Sequence, residues 1–95
     1  FFSACSQKQE VANPLAERGK SIYQANCTAC HSTNPTQDGP VGPAVSGSSR
    51  ELIEARVLNG SYPTGYTPKR TTQVMQALPH LSGEIEALTA YLNSL

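Results

Sequence analysis

Cys27-Thr28-Ala29-Cys30-His31 is the stretch that decides how this chain is read. On one helical turn, positions i, i+3 and i+4 share a face, so both thiols and the imidazole point into the same space. Two thiols so placed can add to the two vinyl groups on one side of a porphyrin as thioethers, while the imidazole reaches the iron as an axial ligand. The pentapeptide therefore has the spacing that attaches a c-type haem and ligates its metal. Two other chemistries use paired cysteines. Zinc could take Cys27 and Cys30 with Cys5 or His80, but such sites usually bring a second spaced pair of ligands, and the sequence has none. A redox-active dithiol belongs in strand-helix-strand patterning, and no convincing strand run occurs.

The chain has 95 residues, one domain's worth, and so short a chain buries only a modest share of its surface. Its hydrophobic content of 38%, with two Phe and no Trp, is lean for a self-sufficient core. A large, flat, apolar cofactor held covalently supplies the missing bulk and acts as a staple. Lys plus Arg number seven and Asp plus Glu number seven, so no charge surplus argues for nucleic acid or for a charged membrane face. Cysteines number three, and with two committed to haem Cys5 is left over. The run Phe2-Ser3-Ala4-Cys5-Ser6 partly resembles the end of a bacterial lipoprotein signal, with small residues before a cysteine that becomes the lipidated N-terminus. Phe2 stands where leucine is usual. The bland reading is a free thiol on a disordered terminus. No stretch approaches the roughly 20 apolar residues of a membrane-spanning helix, so a membrane link is expected only through lipid at Cys5 or through a partner.

Residues 1–13 read as a polar tether and residues 14–95 as the folded domain. Asn13 before Pro14 predicts a helix start, with an Asx cap and proline at the first helical position. The helix runs through Leu15, Gly19, Ile22 and Tyr23 into the cysteine motif; Gly19 inside it suggests either a close helix approach or a tolerated glycine. The proline- and glycine-bearing stretch 32–47 reads as loop. Ser48 with Glu51 forms a capping box for a second helix over 48–59, with Leu52, Ala55 and Leu58 as its apolar stripe and Gly60 as its stop. Residues 61–79 form a long connection carrying the sole methionine, Met75, with a short helix expected around 72–77. A last helix is predicted from Ser82, with Glu84 and Glu86 in its first turn and Ile85, Leu88, Tyr91, Leu92 and Leu95 as its buried stripe.

These pieces, from about residue 13 to 95, resemble a class I bacterial monohaem cytochrome c. The resemblance rests on Cys27-Thr-Ala-Cys30-His31, Gly42-Pro43-Ala-Val-Ser-Gly47, Val57-Leu-Asn-Gly60, and Met75 followed by Leu78-Pro79-His-Leu81-Ser82 and a helix ending Ala90-Tyr91-Leu92. It implies an all-α fold of three main helices, with loops wrapped around one haem c attached through Cys27 and Cys30. It also implies His31 and Met75 as the axial iron ligands, a hydrogen bond between His31 and the Pro43 carbonyl that tunes the imidazole, and first and last helices that cross near Gly19, Tyr23 and Tyr91. Two features depart from the family: Gln76 replaces the usual proline after the methionine, and no tryptophan precedes it. Tyr62, Tyr66, Lys69 or Arg70 would then hold the haem propionates.

Axial ligation by two protein groups leaves no site for substrate at the metal, so the sequence points to an electron carrier rather than an enzyme. His80 would lower the potential if it replaced Met75, and Met75 itself would raise it. The expected partners are redox proteins, a membrane oxidoreductase or a terminal oxidase or reductase, met outside the cytoplasm in a bacterial periplasm. The expected state is a monomer. Two further readings stand beside this one, a haem protein with a labile sixth ligand that binds a gas or peroxide, and one domain of a larger oxidoreductase.

Overall fold

In the computed structural model, residues 13–70 and 74–95 are described; the expected tether over 1–12, its Cys5, and residues 71–73 lie outside them. Among the described residues there are three α-helices, α1 (Pro14–Asn26), α2 (Arg50–Glu54) and α3 (Ile85–Leu92), and no strand. The all-α expectation holds.

Local chemistry explains each boundary. Asn13 caps α1 as predicted, its side chain accepting the Ala16 N–H at 3.1 Å with Pro14 at the first helical position. The second helix begins one residue later than the capping box suggests. Ser48 is used in a turn, donating its hydroxyl to the Val45 carbonyl at 2.6 Å, and Ser49 caps α2 by accepting the Leu52 N–H at 3.1 Å. From Ala55 to Asn59 the same helix widens into a π-helical stretch, stopped by Gly60 in the left-handed conformation at φ 66°. Its buried positions are Ile53 and Val57, whereas the predicted stripe of Leu52, Ala55 and Leu58 is only half-buried.

The last helix also starts later than expected. Pro79–Glu84 forms a 3-10 helix, with Leu81 kinked out of helical geometry, and α3 proper begins at Ile85. Residues 74–78 carry no helix, so the described part of the helix expected over 72–77 is irregular chain instead. Ile85, Leu88, Tyr91 and Leu92 are buried as predicted, while Leu95, past the helix end, is 58% exposed.

The first and last helices pack directly on each other, and Gly19 is the reason they can. A β-carbon there would lie 2.6 Å from the Ala87 carbonyl carbon and 2.8 Å from Tyr91 Cβ. Close approach, not tolerance, explains this glycine. Beside it Tyr23 and Tyr91 meet with ring centroids 5.7 Å apart at 52°, an aromatic pair on the expected crossing. At the edge of the same interface the Arg18 fork holds the Glu84 carboxylate at 2.7 and 2.5 Å. Tyr23, Ile53, Val57, Leu81, Ile85, Leu88, Tyr91 and Leu92 form one apolar cluster against which Cys27, Met75 and Leu78 pack.

Candidate haem site

The end of α1 delivers the pentapeptide. Cys27 still donates its N–H to the Tyr23 carbonyl at 2.9 Å, and His31 donates to the Cys27 carbonyl at 2.9 Å, so residues 27–31 continue the chain as one further helical turn. Both thiols and the imidazole consequently line one cavity of about 380 Å³. The Tyr23 hydroxyl donates to the Ser32 carbonyl at 2.5 Å, which fixes the backbone just beyond the histidine. Burial pushes the Cys27 thiol up to about 11 and the Tyr23 phenol, chiefly for the same reason, up to about 12, so both stay protonated at neutral pH. Cys30, in contrast, is exposed.

His31 is oriented from behind. Its Nδ1 lies 2.8 Å from the Pro43 carbonyl, the bond expected from the sequence, so Nδ1 carries the proton and Nε2 is the nitrogen free to bind a metal. The loop that supplies this carbonyl is itself fastened to the pentapeptide, since Val41 and Gly42 both donate N–H groups to the Cys30 carbonyl at 3.0 and 2.9 Å. Gly42 lies flat against the imidazole: a β-carbon there would sit 2.7 Å from Nδ1. Only glycine leaves the ring in place.

Across the floor of the cavity run Leu52, Ile53, Val57, Leu78, Leu88 and Leu92. Four of these, Ile53, Val57, Leu88 and Leu92, also belong to the buried core, so core and cavity floor share these side chains. Met75 reaches the cavity from the non-helical segment before the 3-10 helix. His80 is exposed and is not among the lining residues.

The rim is polar and cationic. Tyr62, Tyr66, Lys69 and Arg70, the four candidates for carboxylate contacts, all line the cavity. Gly65, at φ 84°, makes the tight turn that closes with Tyr66 donating to the Pro63 carbonyl at 3.1 Å, and this folds Tyr66 back on Tyr62 with rings stacked 5.4 Å apart. Arg56 lies over the Tyr62 ring, 4.2 Å from its centroid, and donates to the Gly60 carbonyl at 2.9 Å. Sequence reading passed over Arg56. An ordinary α-helical period does not show that a π-helical stretch turns this arginine toward the cavity, although its place three residues before Asn59-Gly60 hints at a helix end beside the loop.

The residues fit a covalently held porphyrin. Two thiols and an oriented imidazole share a wall, the floor is apolar, and the rim offers cations and phenols of the kind that take carboxylates. Among the described residues no three His, Cys, Asp or Glu side chains gather as a zinc site would require. Such a fold and site define a small all-α protein organised around a thioether-bound haem. The chain belongs to the cytochrome c family, whose model, described as "Cytochrome c", matches residues 16–95. Accordingly it carries one covalently attached haem c. A "Cytochrome c-553-like" protein of Synechocystis sp. is 36% identical over 53 residues, which are 56% of this chain and 48% of that protein. The chain thus spans about half the length of the curated relative it matches. No solved structure matches it significantly.

Proposed function

We propose that this protein is a single-electron carrier with His31 and Met75 as the two axial ligands of its haem iron. Haem supplies reversible one-electron storage at the metal. The protein's own residues set the conditions. His31 ligates through Nε2, with the Pro43 carbonyl accepting from Nδ1–H and strengthening the imidazole as a donor. Met75 closes the far side and raises the potential relative to a second imidazole. The apolar floor keeps water from the metal, and packing of that floor into the core limits rearrangement when the charge changes. Arg56, Tyr62 and Tyr66 hold the propionates. The observation that carries this reading is that His31 and Met75 line one apolar cavity, whereas exposed His80 does not.

Electrons pass at the edge beside Cys30, where exposed Ala29, Cys30, Pro40 and Val41 leave little between the cofactor and a partner. Redox partners meet this patch in brief, small-area encounters. The reading places the protein outside the cytoplasm, in a periplasm or anchored at a membrane facing it, with the domain over 14–95 acting as a monomer. No helix among the described residues is long and apolar enough to cross a membrane.

Met75→Ala tests the ligand assignment. Loss of the thioether lowers the reduction potential within the roughly 0.8 V that axial ligands span, changes the haem spectrum, and lets carbon monoxide bind the reduced protein rapidly. An unchanged potential and spectrum would sink the assignment of Met75.

A further inference from the structure

We infer that Asp38 tunes the donor strength of His31, and with it the reduction potential, through the single peptide unit that lies between them. The inference rests on the reading of His31 as an axial ligand of the haem iron. The Pro43 carbonyl that accepts from His31 Nδ1 at 2.8 Å and the N–H of Ala44 are the two ends of one amide. The Asp38 carboxylate takes the other end, its Oδ1 accepting the Ala44 N–H at 2.9 Å. Imidazole, amide and carboxylate therefore stand in one line of hydrogen bonds, each donor pointing toward the acid. Asp38 is a positioning residue in this line, since it is not among the residues that line the cavity.

The backbone around the line is held at several points. Gly39 donates its N–H to the Gly42 carbonyl at 2.8 Å, and Asp38 closes the same loop by reaching six residues ahead to Ala44. A β-carbon on Gly39 would lie 2.5 Å from His31 Cα, so the turn that carries Asp38 rests directly on the backbone of the histidine. The second carboxylate oxygen, Oδ2, faces Arg70 Nη2 at 3.5 Å, which leaves Oδ1 to the amide. An amide whose N–H is held by a negative charge is polarised, and its oxygen becomes the stronger acceptor. Stronger acceptance from Nδ1–H gives the imidazole more of the character of its anion, which favours ferric iron and lowers the potential. Carboxylates commonly meet a metal-binding histidine directly. Here one acts through an intervening peptide.

Asp38→Ala should shift the balance between ferric and ferrous holoprotein about two- to fivefold toward the ferrous state, the size expected from losing the cooperative part of a charge-assisted bond. For one electron that is a rise of roughly 20–40 mV. Asp38→Asn keeps an oxygen for the Ala44 N–H and should fall between the alanine variant and the parent. Asp38 is exposed, so both variants keep the fold. Removing any nearby negative charge also raises a potential through space, and a second readout separates the two causes. The proton resonance of His31 Nδ1–H, followed in reduced holoprotein isotope-labelled at histidine, reports the strength of its hydrogen bond. It should move upfield in Asp38→Ala and less in Asp38→Asn, while the Ala44 N–H of the alanine variant exchanges faster with solvent. A potential that rises with the Nδ1–H resonance unmoved makes Asp38 a surface charge only and overturns the relay, as does an unchanged potential. His31 ring protons in the parent that lack the upfield displacement a haem ring current imposes on an axial ligand overturn the ligation itself, whatever the Asp38 variants do.

Discussion

Replacing Gly19 with alanine puts a helix-favouring residue into α1, and the fold predicts that it destabilises the protein. In an unpacked helix the exchange would gain about 1 kcal/mol, because glycine carries the larger entropic penalty. Here the new methyl lands on α3. It would lie 2.6 Å from the Ala87 carbonyl carbon and 2.8 Å from Tyr91 Cβ, where ordinary contacts begin at 3.4 Å, so α1 and α3 must part by several tenths of an ångström. The atoms in the way are backbone and a β-carbon, which cannot rotate aside. Overpacking usually costs about 1–3 kcal/mol, and rigid neighbours place this case at or above the top of that range. After the propensity gain is subtracted, a net loss of about 2 kcal/mol remains, or roughly 8–16 °C in Tm for a domain of this size. The control is Gly83→Ala in the 3-10 helix, where a β-carbon meets nothing within 4 Å. Thermal unfolding of the holoprotein, followed by far-UV circular dichroism and haem absorbance, reads both variants. Gly19→Ala at or above the parent's Tm would refute the close-packed crossing. A large drop for Gly83→Ala would show that the magnitude has been assigned to the wrong cause.

Gly42→Ala presses a methyl on the His31 ring, 2.7 Å from Nδ1. We expect a loss of about 1–3 kcal/mol together with a rise in reduction potential, since turning the ring breaks its bond to Pro43 and weakens the imidazole as a donor; voltammetry that finds the parent's potential would count against the oriented histidine. The Arg18 guanidinium, by hydrogen bonding to Glu84, holds that carboxyl below its ordinary value. A carboxylate depressed on folding contributes stability above its unfolded pKa of about 4.3 and loses it as pH falls through the lower folded value. Denaturation of parent and Arg18→Ala should therefore differ at pH 7 and converge in acid, and a gap that persists at low pH would show that Arg18 acts through packing instead.

What could be read in the sequence was what short-range chemistry dictates. The haem motif was legible because two thioethers and an axial ligand must come from neighbouring residues, and Asn13-Pro14 was legible because a cap acts within one turn. Ser48 misled because two adjacent serines competed for the cap, and a turn back to Val45 claimed the first. The start of α3 was placed early because Ser82 has the chemistry of a cap, but Pro79 had already opened a 3-10 helix through it. Arg56 escaped notice because its direction depends on a π-helical widening that no period reveals. Contacts across long stretches of chain, such as Arg70 with Asp38 or Gly42 under the imidazole, were beyond reach because nothing local encodes them.

The sharing of Ile53, Val57, Leu88 and Leu92 between core and cavity floor gives the molecule a way to advertise errors in its own manufacture. With no cofactor in the cavity those four side chains lose their packing partners on one side, so an unloaded chain opens more readily and shows the apolar faces behind them when it does. Proteases and chaperones that patrol for such faces would clear the unloaded chains and spare the finished ones. Loading is thereby its own quality mark, stamped by the same four side chains that hold the helices together.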